Sequence, residues 1–317
     1  MRIKFWGVRG SLPTSLTTHQ LREKYKEVLR LSQGYELPSD AAREQFLEKL
    51  PFWLTHTGGG NTTCYEVVSD TGTQVIIDMG TGIRPLGHKM MAQGAHQGNA
   101  KFDILVTHTH WDHIMGFPFF VPVYIPGNQI HIHSVHTHIP KALALQHQPI
   151  CFPVQLDELR AELHYHTYKE GQTFTIGDLT ITTKALQHPG TSYSYRITEG
   201  DKSIVIATDG EYKQLDDKTL KPYVDFYKDT ELLVFDAQYS FAEVFHKVDW
   251  GHSSPPIGID LANKAKAKKL VLVHHDPDSD DQKLGELIRK AHGYRKANYP
   301  QLDMDLLMAF EGMELLI

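Results

Sequence analysis

The sequence predicts an α+β chain in which two mixed sheets pack face to face with helices on their outer sides. Three observations lead there. Strand-like runs come in two batches, each followed by helix-like runs, an order that suits two mixed sheets better than one doubly wound sheet. Residues of metal-ligand type stand directly after several of the apolar runs, at the ends of strands that should be buried. No internal repeat, low-complexity linker or composition break divides residues 1–317, so one domain is expected, with a helical insertion at about 16–56.

Residues 3–8 read as a strand and Arg9-Gly10-Ser11 as a turn. Within the insertion, Leu21, Tyr25, Val28 and Leu29 fall at helical spacing, as do Ala42, Phe46 and Leu50. Pro38-Ser39-Asp40 separates the two runs and can cap the second, so a helical hairpin is expected. Gly58-Gly59-Gly60-Asn61 is a loop; it lacks the Lys-Ser/Thr of a Walker phosphate cradle. Residues 64–68 and 74–78 read as paired strands, and Gly80-Thr81-Gly82 leads into a helix over about 83–93. A buried strand at 102–106, a short helix from Asp112, a strand at 129–133 and a helix at 139–148 follow. A β-rich stretch then offers strands at 162–168, 173–176, 179–185, 193–199 and 203–207, with turns at Glu170-Gly171, Gly177-Asp178 and Gly200-Asp201. Short apolar strands at 232–235 and 270–273 each lie near a helix, at 256–267 and about 280–292, and 304–309 is expected as the last strand.

Hydrophobic residues make up 41% of the 317 positions and charged residues 22%, enough for a substantial core and too ordinary for wholesale disorder. The formal net charge of −6 argues against a broad nucleic-acid surface. Two cysteines, Cys64 and Cys151, allow one disulfide but no secreted disulfide framework. No apolar run is long enough to span a membrane, and the N-terminus reads as a strand rather than a signal peptide, so a cytoplasmic location is expected.

The densest chemistry lies in Thr107-His108-Thr109-His110-Trp111-Asp112-His113, which places three imidazoles and a carboxylate within six residues, directly after the run 102–106. Imidazole and carboxylate suit zinc, iron or manganese. His108 and His110 share one side of an extended segment, while Asp112 and His113 start a turn or helix and can face a second ion. His188, Asp209 and His274 each follow a strand expected to be buried; the adjacent His275 leaves the last of these open. Asp78 ends another such strand and can orient a ligand histidine. His252 precedes Ser253-Ser254-Pro255-Pro256, a helix start whose positive end and free N–H groups favour an anion. Thr191 and Ser192 can donate to phosphate oxygens. His131, His133, His136, His138, His164 and His166 are read as structural or surface residues.

On these residues the chain resembles the metallo-β-lactamase-fold hydrolases. The H-x-H-x-D-H run with His188, Asp209 and His274 matches that superfamily's two-metal ligand set, and the match covers the chain apart from the insertion. The resemblance implies a four-layer αβ/βα sandwich with the site at the sheet edges. It assigns His108, His110 and His188 to one metal, Asp112, His113 and His274 to the second, and Asp209 to both. Gly59-Gly60-Asn61-Thr62-Thr63-Cys64, Asp78-Met79-Gly80-Thr81-Gly82, Trp250-Gly251-His252-Ser253-Ser254 and His274-His275-Asp276-Pro277 resemble the tRNase Z-like phosphodiesterase branch, bacterial cyclic-nucleotide phosphodiesterases above all. The chain departs from tRNase Z in lacking a Gly/Pro- and Lys-rich arm. It departs from the ribosyl cyclic-phosphate phosphodiesterases of phosphonate breakdown in lacking cysteine clusters.

The expectation is a dinuclear-metal phosphodiesterase that hydrolyses a small cyclic phosphodiester, a 3′,5′-cyclic nucleotide first, by attack of a metal-bridging hydroxide on phosphorus. Asp112, Asp209 and His252 carry the catalysis, with Thr191, Ser192 and Ser253 facing substrate. Two divalent ions are implied; zinc is the default, and Asp112 and Asp209 tolerate manganese or iron. A lactonase, a thioesterase and a tRNA 3′-end endonuclease are the alternatives. No extended nucleic acid and no membrane partner are expected. The insertion's apolar face, which includes Phe52 and Trp53, is expected to pack on its own domain, to join a homodimer or to form a lid.

Overall fold

The computed structural model describes residues 1–244 and 246–317. Six strands open the first sheet: β1 (Arg2–Gly7), β2 (Cys64–Val68), β3 (Gln74–Ile77), β4 (Lys101–Leu105), β5 (Gln129–Ser134) and β6 (Glu162–Thr167). The second sheet takes β7 (Thr173–Ile176), β8 (Leu179–Leu186), β9 (Ser192–Glu199), β10 (Lys202–Ala207), β11 (Leu232–Asp236), β12 (Lys269–Val273) and β13 (Asp305–Met308). A last strand, β14 (Glu314–Leu316), returns to the edge of the first sheet beside β1. The orders are β14-β1-β2-β3-β4-β5-β6 and β13-β12-β11-β10-β9-β8-β7.

Each sheet is half antiparallel and half parallel. β3 to β6 run parallel in the first, and β10 to β13 in the second. Parallel strands are covered on both faces, which is why β11 and β12 read as unbroken apolar runs. The inner faces meet in a core that includes Phe5, Tyr65, Ile77 and Leu105 from one sheet and Ile181, Ile206, Val234 and Val273 from the other. Helices cover the outside. In the insertion lie α1 (Thr18–Leu31), α2 (Asp40–Leu47) and the short α3 (Phe52–Thr55). The first sheet is covered by α4 (Ile83–Ala92), α5 (Trp111–Ile114) and α6 (Ile139–Gln146). Packed on the second are α7 (Asp217–Tyr227), α8 (Phe241–Val244), α9 (Pro255–Ala265) and α10 (Asp281–Asn298). This is the four-layer sandwich that the resemblance implied. No helix among the described residues is long and apolar enough to cross a membrane. Cys64 is buried, Cys151 is exposed, and both are free thiols.

Four expectations need correction. The β-rich stretch after residue 162 is split between the sheets: β6 pairs with β5 in parallel, and only β7 onward joins the second sheet. Helix α7, whose buried Leu220 and Tyr227 supply its inner face, and strand β14 were not foreseen. Arg9, expected only as part of a turn, has a structural role as well. It is buried and donates to the carbonyls of Gly59 (2.8 Å) and Ser279 (2.6 Å), so it ties two loops to the end of β1. The insertion packs on its own chain, against α10, through only part of the apolar face expected. Phe46 is buried and Trp53 rests on Gly285, whereas Leu21, Tyr25 and Leu29 are exposed. The residue α1 buries is Lys24, which pairs with Asp281 at 2.5 Å and donates to the His56 carbonyl at 2.6 Å.

Candidate metal centre

The carboxyl ends of the parallel strands of both sheets converge on one edge, the usual place for a site in sheets of this kind. Asp78 follows β3, the His108–His113 segment follows β4, His188 follows β8, Asp209 follows β10, Asp236 ends β11, and His274 follows β12. At three of these strand ends the backbone turns sharply: Asp78, Asp209 and His274 have φ of 61°, 49° and 62°. Non-glycine residues in that region cost on the order of 1–3 kcal/mol each and persist where the surroundings fix them.

Four overlapping groups of donors form among the described residues; two of them contain His252, one with His188 and Asp209 and one with Asp236 and His274, and the other two hold the residues expected as ligands. His108, His110 and His188 make one; Asp112, His113, Asp209 and His274 make the other. Asp209 lies between them. One carboxylate oxygen is 3.1 Å from His113 Nε2, and the other is 3.3 Å from His274 Nε2, 3.7 Å from His108 Nε2 and 3.8 Å from His188 Nε2. The structure brings together the residues that the resemblance implied as ligands, and His274 rather than His275 is the residue that faces them. His275 turns away and donates through Nε2 to the Ala309 carbonyl at 2.8 Å.

Four of the five inward histidine nitrogens are aimed by a partner on the other side of the ring. His113 donates through Nδ1 to Asp78 at 2.7 Å, and Asp78 also accepts from the Thr107 amide (2.8 Å) and hydroxyl (2.7 Å). His108 donates through Nδ1 to Thr107 Oγ1 at 3.1 Å. The same nitrogen of His188 donates to the Gly251 carbonyl at 2.8 Å, and that of His274 to Gln238 Oε1 at 3.1 Å. Each of these four rings therefore turns Nε2 inward, while His110 presents Nδ1, 2.9 Å from His188 Nε2. Two glycines make the approach close enough. A Cβ on Gly251, whose φ is 85°, would fall 2.3 Å from His188 Nδ1, and one on Gly10 would fall 2.3 Å from His274 Nδ1.

The donor set fits divalent metal ions. His108 Nε2 is buried and has no hydrogen-bond partner, a costly state for an imidazole nitrogen unless an ion takes its lone pair. His188 Nε2, its ring fixed by Gly251, lies 2.9 Å from His110 Nδ1, so two imidazole nitrogens converge there. Donors about 3–4 Å apart are what a shared ion with bonds of about 2.0–2.2 Å requires. The electrostatics agree. Burial opposes charge on His113 and His274, yet the surrounding carboxylates, Asp209 foremost, outweigh it. His113 is held well above the ordinary range and His274 is raised to about 9. Burial likewise opposes charge on Asp112 and Asp209, but the neighbouring histidines hold both well below the usual carboxylate range. Burial also pushes His108, His110 and His188 down, which keeps them neutral and able to donate a lone pair.

His252 stands beside both groups. Its ring stacks on His274 at 4.8 Å and meets His188 edge-on at 5.2 Å. It donates through Nδ1 to Asp236 at 2.9 Å, which leaves Nε2 free to hold or move a proton. Asp236 was not foreseen, although it carries the signal used for Asp209: a carboxylate directly after an apolar run. Other supporting residues were also missed. Glu211 accepts the amides of Asp249 (3.0 Å) and Gly251 (3.2 Å) and so holds the loop that carries His252. Ser11 donates its amide to Asp112 at 2.8 Å and accepts from Gln238 Nε2 at 3.2 Å. These contacts run between distant segments, and no local pattern announces them.

The expected substrate donors fare less well. Ser192 is buried and donates to the Thr208 carbonyl at 3.5 Å, so it is not offered to a substrate. Thr191 presents its carbonyl to His136 Nε2 at 3.0 Å and remains partly exposed at φ 65°. Ser253 is buried with an unpartnered hydroxyl. The start of α9 supplies fewer donors than expected, since Pro255 and Pro256 fill its first two positions and have no N–H to give.

Comparison with known proteins adds to this geometry. Residues 73–275 match the profile of the β-lactamase superfamily domain. Ribonuclease Z of Anoxybacillus flavithermus is 23% identical over 241 residues, which span 59% of this chain and 73% of that protein. The metallo-β-lactamase fold protein YhfI of Bacillus subtilis superposes with a TM-score of 0.64 at 15% identity, covering 99% of this chain and 98% of its own. Unliganded yeast PDE1 gives a TM-score of 0.57 at 13% identity, over 100% of this chain and 99% of its own. At these identities the two structures speak for the fold alone.

Proposed function

The chain belongs to the β-lactamase superfamily as a metal-dependent hydrolase, and we propose that its substrate is a small phosphodiester, a 3′,5′-cyclic nucleotide first. The observation that carries this reading is Asp209 reaching both donor groups while a separately oriented His252–Asp236 pair stands beside them. His108, His110 and His188 would hold one ion, Asp112, His113 and His274 the other, and Asp209 both. When bound, the two ions supply Lewis-acid stabilisation of charge developing on the phosphoryl group. Asp78, Thr107, Gly251 and Gln238 fix the ligand rings, so little reorganisation is needed as the substrate reacts. His252 offers a proton at Nε2 to the leaving alkoxide, with Asp236 fixing its tautomer. Similarity to a protein named ribonuclease Z supports phosphodiester chemistry over a lactone or thioester.

A second reading, cleavage of a tRNA precursor, also draws on that similarity. The net charge of −6 and the lack of a Lys-rich arm weigh against it. Protein loaded with manganese or zinc should release mononucleotide from cyclic AMP or cyclic GMP, and Asp209→Ala should abolish the release. With metal bound, no release from either nucleotide but cleavage of a tRNA precursor, or of a lactone or thioester, would overturn the proposal.

A further inference from the structure

We propose that the cavity beside Trp111 receives a flat aromatic ring of the substrate, a nucleobase rather than an alkyl group; this rests on the phosphodiesterase reading. The cavity has a volume of about 900 Å³; Trp111, Phe119 and Phe152 line it together with aliphatic residues such as Ile114, Met115 and Leu145, and Lys141 and His138 stand at its polar side. That size suits a small organic ligand.

No donor residue lines the cavity, but chain neighbours of one donor do. His110 is the exposed member of the donor groups, so the centre opens to solvent there. The residues on either side of it, Thr109 and Trp111, both line the cavity, so cavity and opening share one stretch of backbone. His138 closes the corner by bonding Thr109 Oγ1 at 3.1 Å.

The walls indicate the ligand. In α5, Asp112, His113 and Ile114 turn inward, while Trp111 is 75% exposed. Phe119, 52% exposed, stands in the same cavity and meets Phe152 edge-on with ring centroids 5.5 Å apart. Three aromatic side chains around one open volume offer faces on which a planar ring can stack, and each base stacked in this way gains about 1–3 kcal/mol, whichever base it is. An alkyl group would need no such faces.

The test compares cyclic AMP with ribose 3′,5′-cyclic phosphate, which has the same reacting group and no base. For the metal-loaded wild type, kcat/KM should favour cyclic AMP. Trp111→Ala should cut that preference by about tenfold to a hundredfold, Phe119→Ala should cut it in the same direction, and Trp111→Phe should keep most of it. The ratio cancels any disturbance of the ligand run itself. Equal kcat/KM for the two substrates in wild type would overturn the cavity proposal and leave the phosphodiesterase reading intact. Hydrolysis of neither would remove the reading, and adenosine would then decide the cavity alone. Its titration should shift the Trp111 indole N–H resonance, identified as the one absent from Trp111→Ala; an unmoved resonance would overturn the proposal.

Discussion

His252 and Asp236 show how much of this site lies outside the metal ligands. A histidine near a metal centre can be one more ligand or a proton carrier. The 2.9 Å bond from its Nδ1 to a fully buried Asp236 fixes the ring and leaves one nitrogen free, an orientation it shares with the ligand histidines, so kinetics and metal content together separate the two roles. For a proton carrier, Asp236→Asn should lower kcat by about a hundredfold or more, within the range of general acid–base contributions, while bound metal stays at the wild-type level. His252→Ala should do the same, and the double variant should be no slower than the worse single one, as expected of residues that act as a unit. Steady-state kinetics with metal analysis of the same samples checks this; multiplied losses in the double variant would show that the two act separately. Asp236 also accepts the amides of Gly210 (3.2 Å) and Gln238 (3.0 Å), so some stability will go with it. The metal-group residues were legible in the sequence because each breaks an apolar run with a ligand-type side chain. Asp236 carries that signal too. Glu211, Gln238 and Ser11 do not, since each works by holding a remote backbone or side chain in place.

At the scale of elements, the apolar periodicity located most strands and helices but not their neighbours. Histidines alternate at 131 and 133 and again at 164 and 166, and each pair was read as lying on a strand. Nothing local says that the two strands are β5 and β6, paired in parallel so that His131 faces His164 and His133 faces His166. The rings stack at 4.6 Å and 4.5 Å, and Asp103 accepts from His133 Nε2 at 2.9 Å. A similar gap explains α1. Leu21, Tyr25 and Leu29 announce a helix, but burial went to Lys24 because Asp281 of α10 offers it a partner. Helix α7 was obscured by Pro222 in its interior. The histidine stack has a consequence for acid stability. Burial first, and then Lys101, lowers His131 to about 4. Its folded value thus lies below the unfolded value of about 6.5. Below that pH the unfolded chain takes the proton first, so stability contributed by neutral His131 is complete above about 6.5 and drains away as pH falls toward 4. An NMR titration should place the His131 midpoint near 4, and His131→Asn should lose less melting temperature than wild type between neutral and acidic pH. A midpoint at the ordinary histidine value would refute this.

For the whole molecule, the decisive feature is that the two sheets share one centre. Asp78 and the His108–His113 segment belong to the first sheet, and His188, Asp209 and His274 to the second. Below this edge the sheets are joined by apolar packing such as Phe5, Leu105, Val234 and Val273. At the edge itself, the contacts are between imidazoles and carboxylates that repel or need protons when no cation is present. His108 Nε2 has no partner there, and Asp112 and Asp209 lean on His113 and His274. A pair of divalent ions would replace those contacts with bonds that cross from one sheet to the other. Metal should therefore stabilise the fold as well as serve chemistry. By mass action, an ion at a hundredfold excess over its Kd adds about 2.7 kcal/mol, which is several degrees of melting temperature for a chain of this size. Chelator-treated protein should melt lower than metal-loaded protein, zinc or manganese should restore the difference, and Asp209→Ala should lose most of the gain because that carboxylate reaches both donor groups. Trp111→Ala, outside the donor groups, should keep it. If calorimetry gave the same melting temperature with and without bound metal, the centre would not be joining the sheets, and its ligands would have to be held in place by the surrounding hydrogen bonds alone.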